Sequence, residues 1–312
     1  MTGYFWTMGG ALCACTIWHA LRLRRTTRRA LATALLTAVL AVLLGTVLAK
    51  VVYVLAKAPQ QFSRFGMNAF LRSNPEEFSI FGGCLGVCLA AFSAAKLCRV
   101  PASASMDCFA PGAALLFTAA RAGEYFLGPR FLGHGMIGLG DDLMDNSWNC
   151  FFPLAVQDHY EMWFQAVFML EALIALIAVV LALTLLRRGH TLVRTAYFLM
   201  AAQIYTEMLH NQTIAWGFVR VEQLLCAITM MIVLICFCAR TQRVTHAGIR
   251  CFWPCGVMLL MCGIDVGVEF ALDKSYLPPV PCYLIMLFTI VVMLFLEVRA
   301  RQAADAAQHA AA

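Results

Sequence analysis

LATALLTAVLAVLLGTVLAKVVYVL, residues 31–55, runs for twenty-five residues with a single charge, Lys50. About 18–20 apolar residues suffice to cross the hydrocarbon of a bilayer as a helix. Within lipid only a helix or a closed barrel satisfies its own backbone polar groups. Similar runs lie near 4–21, 78–97, 108–127, 162–186, 194–210, 216–239, 252–272 and 280–298, giving nine candidate spans. Over all 312 residues 62% are apolar and 13% charged, against about 25% charged in an ordinary soluble domain. That balance excludes a soluble globular domain, a disordered chain and a nucleic-acid module. The expectation is an all-α, polytopic helical membrane protein. Transporter, channel and membrane enzyme all stay open at this point.

The net charge is +6, from 23 Lys and Arg against 17 Asp and Glu, and its placement orients the chain. Segments 22–29, 96–99, 187–194, 240–250 and 299–301 hold 15 of the 23 basic residues. Cytoplasmic loops are enriched in Lys and Arg, so these segments read as cytoplasmic. Two of them, 187–194 and 240–250, then bracket an even number of crossings, which makes the polar stretch 194–210 a span. The N-terminus is expected outside and the C-terminus inside. Residues 1–21 read as a span and not as a cleavable signal, because the positive cluster follows the apolar run.

Of the fourteen cysteines most fall within spans, where the thiol acts as a small hydrophobe. No CxxC pair or zinc spacing is present, so neither a metal nor another cofactor is expected. Cys150 and Cys282 are the two placed on the outer side, where a disulfide between them is open.

Ionisable residues inside spans are costly to keep and are candidates for function by default. Lys50, Arg121, Glu124, Glu207, His210, Arg220, Glu222, Asp265 and Glu269 all fall toward the outer ends of their spans, and Glu171 lies near mid-membrane. Arg121 and Glu124 are three apart, Gln203 and Glu207 four, Glu207 and His210 three, Asp265 and Glu269 four, so each pair shares a helix face. The pattern implies a polar chamber sunk below the outer surface. Lys50, Arg220 and Glu222 also read as interfacial anchors. A transport path would place charge at the midplane and on both sides, so one-sided charge favours an enzyme or receptor working at one leaflet. Arg121 needs a counter-charge, for which Glu124 and Glu207 are the nearest candidates.

FSIFGGCLGVCLAAFSAAKL (78–97), followed by DCFAPGAALLFTAARAGEYFLG (107–128), resembles the core of the prolipoprotein diacylglyceryl transferase family. Gly82-Gly83, Lys96, Asp107, Ala110-Pro111, Arg121 and Gly123 fill that family's motif positions in order. GTVLAKVVYVL (45–55) resembles its second span, with Lys50 where an arginine usually stands. SWNCFFP (147–153) resembles its Trp-containing outer loop, and MLEALIALIAVV (169–180) its fifth span, with Glu171 in register. AAQIYTEML (201–209) resembles the sixth span through Glu207, and Gln223 matches the glutamine that opens the seventh. The resemblance divides the chain into a seven-helix transferase-like core, 1–240, and an added helical hairpin with a cytoplasmic tail, 241–312. There are departures too. Phe81 stands where the family has His or Tyr, Glu124 replaces an asparagine, Gln203 an arginine, and Gln165 the histidine of a His-Pro motif.

The resemblance implies transfer of a diacylglyceryl group from phosphatidylglycerol, or a similar anionic phospholipid, to the lipobox cysteine of a prolipoprotein signal peptide. The place would be the outer face of the bacterial inner membrane. By carry-over Arg121 binds phosphate, Glu207 with His210 orients or deprotonates the thiol, and Glu124 pairs with Arg121 or serves as a replacement base. Lys50, Gly82, Gly83, Gly123, Glu171, Gln203 and Gln223 become contacts to lipid or substrate. Two other functions stay open: a lapsed relative that binds anionic phospholipid or lipopeptide, and a small-anion transporter. For the added hairpin, Asp265 and Glu269 either supply carboxylates the core has lost or face Arg220 as ion pairs.

Overall fold

A computed structural model describes residues 2–72, 74, 77–128, 134–140, 151–157, 162–184, 190–210, 214–216, 219–246, 248–274 and 278–311. The long helices are α1 (Thr2–Leu23), α2 (Ala30–Ala56), α4 (Ile80–Leu97), α5 (Ala102–Gly123), α6 (Val167–Thr184), α7 (Thr191–Leu209), α8 (Val221–Thr245), α9 (Trp253–Asp273) and α10 (Pro279–Ala311). They follow the expected spans closely. Of these, α2, α4, α6, α8, α9 with its preceding turn, and α10 are long and apolar enough to cross a membrane. The remaining three, at 22, 22 and 19 residues, have the length but fall short in apolarity.

Between α2 and α4 lies a short helix, α3 (Ala58–Phe65), followed by a 3-10 turn, Gly66–Phe70. After α5 a small antiparallel sheet forms from β1 (His134–Gly140), β2 (Ala155–Gln157) and β3 (Trp163–Ala166), in the order β1-β3-β2. A two-residue hairpin, β4 (Ala215–Trp216) with β5 (Val219–Arg220), leads into α8.

The chain forms two compact units. The first is Met1–Ala196 with Leu209–Ile214, the second Tyr197–Met208 with Ala215–Ala312. Compactness therefore groups α8 and most of α7 with the added hairpin, a different line from the 1–240 and 241–312 division that resemblance suggests.

In the first unit α2 and α4 pack along each other through small residues. Thr33, Thr37, Ala41, Gly45, Ala49 and Tyr53, spaced by four, are buried on α2, facing Gly82, Gly86, Ala90 and Ala94, also spaced by four, on α4. A Cβ on Gly86 would come within 2.3 Å of the Leu44 carbonyl oxygen, and one on Gly82 within 2.5 Å of the Leu48 carbonyl oxygen. Lipid tails give helices no hydrophobic reason to associate, so close backbone approach through small residues supplies dispersion instead. Hydroxyls along the spans are satisfied locally: Thr33, Thr37 and Thr118 each donate to the carbonyl four residues back.

The Asp-x-x-Ala-Pro stretch has a structural task here. Asp107 Oδ1 accepts the Leu192 backbone N–H at 3.2 Å, capping the first turn of α7, where amides have no intrahelical acceptor.

In the second unit α10 packs on α8 and α9. Met208, Val268, Cys282 and Met286 form a buried cluster, and the Tyr197 hydroxyl donates to the Met293 carbonyl at 3.1 Å. Beyond residue 298, where the last expected span ends, the helix continues to Ala311. Ala is the strongest helix former, and Arg301 lies 3.4 Å from Glu297 and 3.1 Å from Asp305, both four residues away. Cys282 is a buried free thiol, while Cys150 and most of the Trp-containing loop, 147–150, lie outside the described residues.

Candidate active site

Arg121 stands in the last turn of α5 and is 8% exposed. Its Nη1 lies 2.8 Å from Glu124 Oε1, and its Nε lies 2.7 Å from Glu171 Oε2 of α6. Glu171 is 2% exposed, and its other oxygen lies 3.3 Å from His210 Nε2. A single carboxylate thus bridges a guanidinium and an imidazole, and a second carboxylate faces the same guanidinium. All four residues belong to the first unit.

Removing such charges from water costs several kcal/mol per ion, which only close pairing offsets. Arg121 has that pairing from Glu124, as expected, and from Glu171. Glu171 reaches Arg121 because α6 packs on α5, a contact that the spacing of charges along the sequence does not announce.

Two further features edge the group. A Cβ on Gly123 would meet the Tyr4 ring at 2.9 Å, so glycine in the Arg-x-Gly signature lets α1 close on α5. The Tyr4 phenol lies within electrostatic reach of both Glu124 and Arg121. Sequence reading passed over Tyr4, which carries no charge and sits in an aromatic first turn.

Lys50 is engaged elsewhere. Its Nζ donates to Glu77 Oε2 at 2.6 Å and lies over the rings of Tyr53 and Phe78 at 5.7 and 5.5 Å. Glu77 also accepts from Asn74 at 3.0 Å and lies 3.5 Å from Arg72. Burial pushes the Glu77 carboxyl up, yet the hydrogen bonds from Lys50 and Asn74 and the charges of Lys50 and Arg72 outweigh it. The carboxyl is held below the usual carboxylate range. Lys50 therefore fastens the segment between α3 and α4, a contact no periodicity announces. Gly82 and Gly83 lie beyond it in the first turn of α4, which Ser79 caps by accepting the Gly82 N–H at 3.2 Å.

The remaining expected residues belong to the second unit. Gln203 Nε2 donates to Glu207 Oε2 at 3.2 Å, and Gln223 Nε2 donates to the Ile204 carbonyl at 2.9 Å. Arg220 donates to the Glu207 carbonyl and pairs with Glu269 of α9. Of the two readings for the hairpin, Glu269 follows the ion pair with Arg220, whereas Asp265 accompanies Thr289. Among the described residues no cluster of three or more His, Cys, Asp or Glu is arranged to hold a metal ion.

The first-unit cluster can do two things chemically. A guanidinium in a low-dielectric pocket presents a planar fork suited to phosphoryl oxygens. An imidazole oriented by a carboxylate is the arrangement that accepts a proton from a nucleophile. A family model described as prolipoprotein diacylglyceryl transferase matches residues 3–239. Searches of curated proteins and of solved structures returned no match.

Proposed function

From the premise that the chain belongs to the prolipoprotein diacylglyceryl transferase family, we propose that it moves a diacylglyceryl group from phosphatidylglycerol to the lipobox cysteine of prolipoproteins. The reaction takes place at the outer face of the bacterial inner membrane, with the N-terminus outside and the C-terminus in the cytoplasm. One observation carries this reading: Arg121, Glu171 and His210 are buried and, with the partly exposed Glu124, form a paired group at one end of α5.

The thiol of a free cysteine has a pKa of about 8.5, so at neutral pH a base must take its proton. His210 is that base, and Glu171 positions its ring. The thiolate attacks the glyceryl carbon esterified to phosphate. A C–S bond forms, the C–O bond breaks, and the electron pair leaves on the phosphate of glycerol phosphate. Arg121 binds the phosphoryl oxygens and stabilises the charge that grows on the leaving group. Of the carboxylates paired with Arg121, Glu124 is partly exposed and Glu171 is buried, so Glu124 is the partner that yields Arg121 to phosphate. Lys50 acts through its hold on Glu77.

A second reading, lipid binding without turnover, draws support from Phe81, a side chain without acid–base capacity where the family has His or Tyr. Expressing the chain in a bacterium depleted of its own transferase separates the two. The transferase reading expects restored growth and a diacylglyceryl thioether on a reporter lipoprotein. Stable membrane-inserted protein without that adduct contradicts it and supports binding alone.

A further inference from the structure

Beside the start of α5, about 30 Å along the helix from Arg121, two turns of the first unit meet. Arg29 Nη1 donates to the Cys98 carbonyl at 3.1 Å, and Leu23, Ala30 and Val100 form a buried cluster. The turn from α1 to α2 carries Arg22, Arg24, Arg25, Arg28 and Arg29, and the end of α4 carries Lys96 and Arg99. All but Arg22 are exposed, and Arg22 is half-buried with its guanidinium 5.4 Å from the centre of the Trp18 ring. From Met1 to Met106 the sequence holds no acid besides Glu76 and Glu77. Glu77 is held by Lys50 at the far end of α2, and Asp107 accepts the Leu192 N–H. Among the described residues none of the seven cations forms an ion pair.

Arg99 adds a backbone observation. Its φ is +55°, and the Val100 N–H donates to the Ala95 carbonyl at 2.8 Å, closing the end of α4. Glycine is the usual residue at such a cap, because a Cβ strains the left-handed conformation. An arginine kept there against the backbone's preference points to a partner for its guanidinium outside the helix. Next to the cations, on the same helices, Leu21, Leu31, Leu35 and Leu97 are exposed. The surface therefore offers cations at the helix ends and hydrocarbon contact just beneath them.

A partner that uses both features has an anionic head on an apolar body. A nucleic acid would use the cations and leave the leucines without a role. We propose that this end of the first unit is a docking surface for anionic phospholipid of the leaflet opposite the Arg121 group. The phosphate lies among the guanidinium groups of the two turns, where planar forks suit phosphoryl oxygens, and the acyl chains run along the exposed leucines. Each Lys or Arg near an anionic leaflet strengthens attraction by about fivefold. The inference needs only that the helices cross a bilayer and does not need the transferase reading.

The test uses the full chain in dodecyl maltoside, with native mass spectrometry following bound dioleoylphosphatidylserine and dioleoylphosphatidylcholine. The wild type should bind the serine lipid more tightly than the choline lipid. Replacing Arg24, Arg25 and Arg28 together by Gln should weaken serine-lipid binding by about a hundredfold, from three fewer cations. Replacing the same three by Lys keeps the charge and should preserve binding to within severalfold, which separates loss of charge from damage to the turn. Arg121→Gln should leave this binding unchanged. Equal affinity for the two lipids overturns the proposal, as does a Gln variant that binds like the wild type or a Lys variant that loses as much as the Gln variant. A loss in Arg121→Gln equal to that in the Gln variant overturns it too, by placing the lipid at the other end of α5. Displacement of the lipid by an equimolar amount of glycerol phosphate overturns it in favour of a free phosphate, and tighter binding of oligothymidylate than of the serine lipid overturns it in favour of a nucleic acid.

Discussion

Glu124 and Glu171 both pair with Arg121, and an incoming phosphate must compete with them. Glu124 is the more exposed partner and Glu171 the more deeply buried, so exchange falls on Glu124. Glu124→Gln should keep the hydrogen-bonding shape while removing one competing charge. Binding of phosphatidylglycerol should tighten by about tenfold, or ~1.4 kcal/mol, in a nanodisc binding titration; weaker binding would count Glu124 as part of the lipid contact. His210→Gln keeps the volume but loses the base, so the transfer rate should fall by roughly 10²–10⁴ with lipid affinity little changed. The side chains at these positions were legible as candidates, because charge inside a span is unusual. Their partners were less so: Glu171 stood out as a mid-membrane carboxylate, but only the packing of α6 on α5 brings it to Arg121 and His210.

Helices and their junctions pose different tests. Gly86 and Gly9 are both helical glycines, but the first lies against the Leu44 carbonyl and the second has open space around it. Gly86→Val should lower the melting temperature, with overpacking costing about 1–3 kcal/mol. Gly9→Ala should be neutral or stabilising by up to about 1 kcal/mol from helix propensity. Thermal denaturation of both variants checks the pair. At the junction before α4, Lys50 and Glu77 provide the pH-dependent element. A carboxyl depressed in the folded state stabilises fully above its unfolded value of about 4.3 and loses that contribution as pH falls through its lower folded value. The melting temperature of the wild type should therefore exceed that of Glu77→Gln near neutral pH, the gap closing in strong acid. A gap independent of pH would remove the ion pair as its source. Helix positions were readable because apolar runs and basic breaks are periodic and local. The Lys50–Glu77 tie joins residues 27 apart through an irregular segment, and the β1–β3 sheet rests on backbone pairing with little side-chain alternation to announce it.

At the scale of the whole chain, the family match ends at residue 239, within α8, yet α8 packs with α10 and Arg220 pairs with Glu269 of α9. The added hairpin is therefore part of the second unit's core. Ending the chain after Thr245 should leave the Arg220 guanidinium without Glu269 and uncover Met208. The expected result is aggregated protein in size-exclusion chromatography; a monodisperse, active 1–245 chain would make the hairpin dispensable. The extra hairpin was visible in the sequence as two apolar runs beyond the resemblance. Its grouping with α8 was not, since apolar runs carry no record of which neighbour covers them.

The claim on which all of this turns is that the Arg121 guanidinium holds the donor's phosphate during transfer. It is tested most directly by measuring, in phosphatidylglycerol nanodiscs, the rate at which a lipobox peptide gains a diacylglyceryl thioether with wild-type chain and with Arg121→Gln, each first checked for a monodisperse fold. The wild type should modify the peptide, and the variant should be slower by about 10²–10³, the loss seen when a charge-stabilising donor is removed. Equal rates in the two proteins would contradict the account.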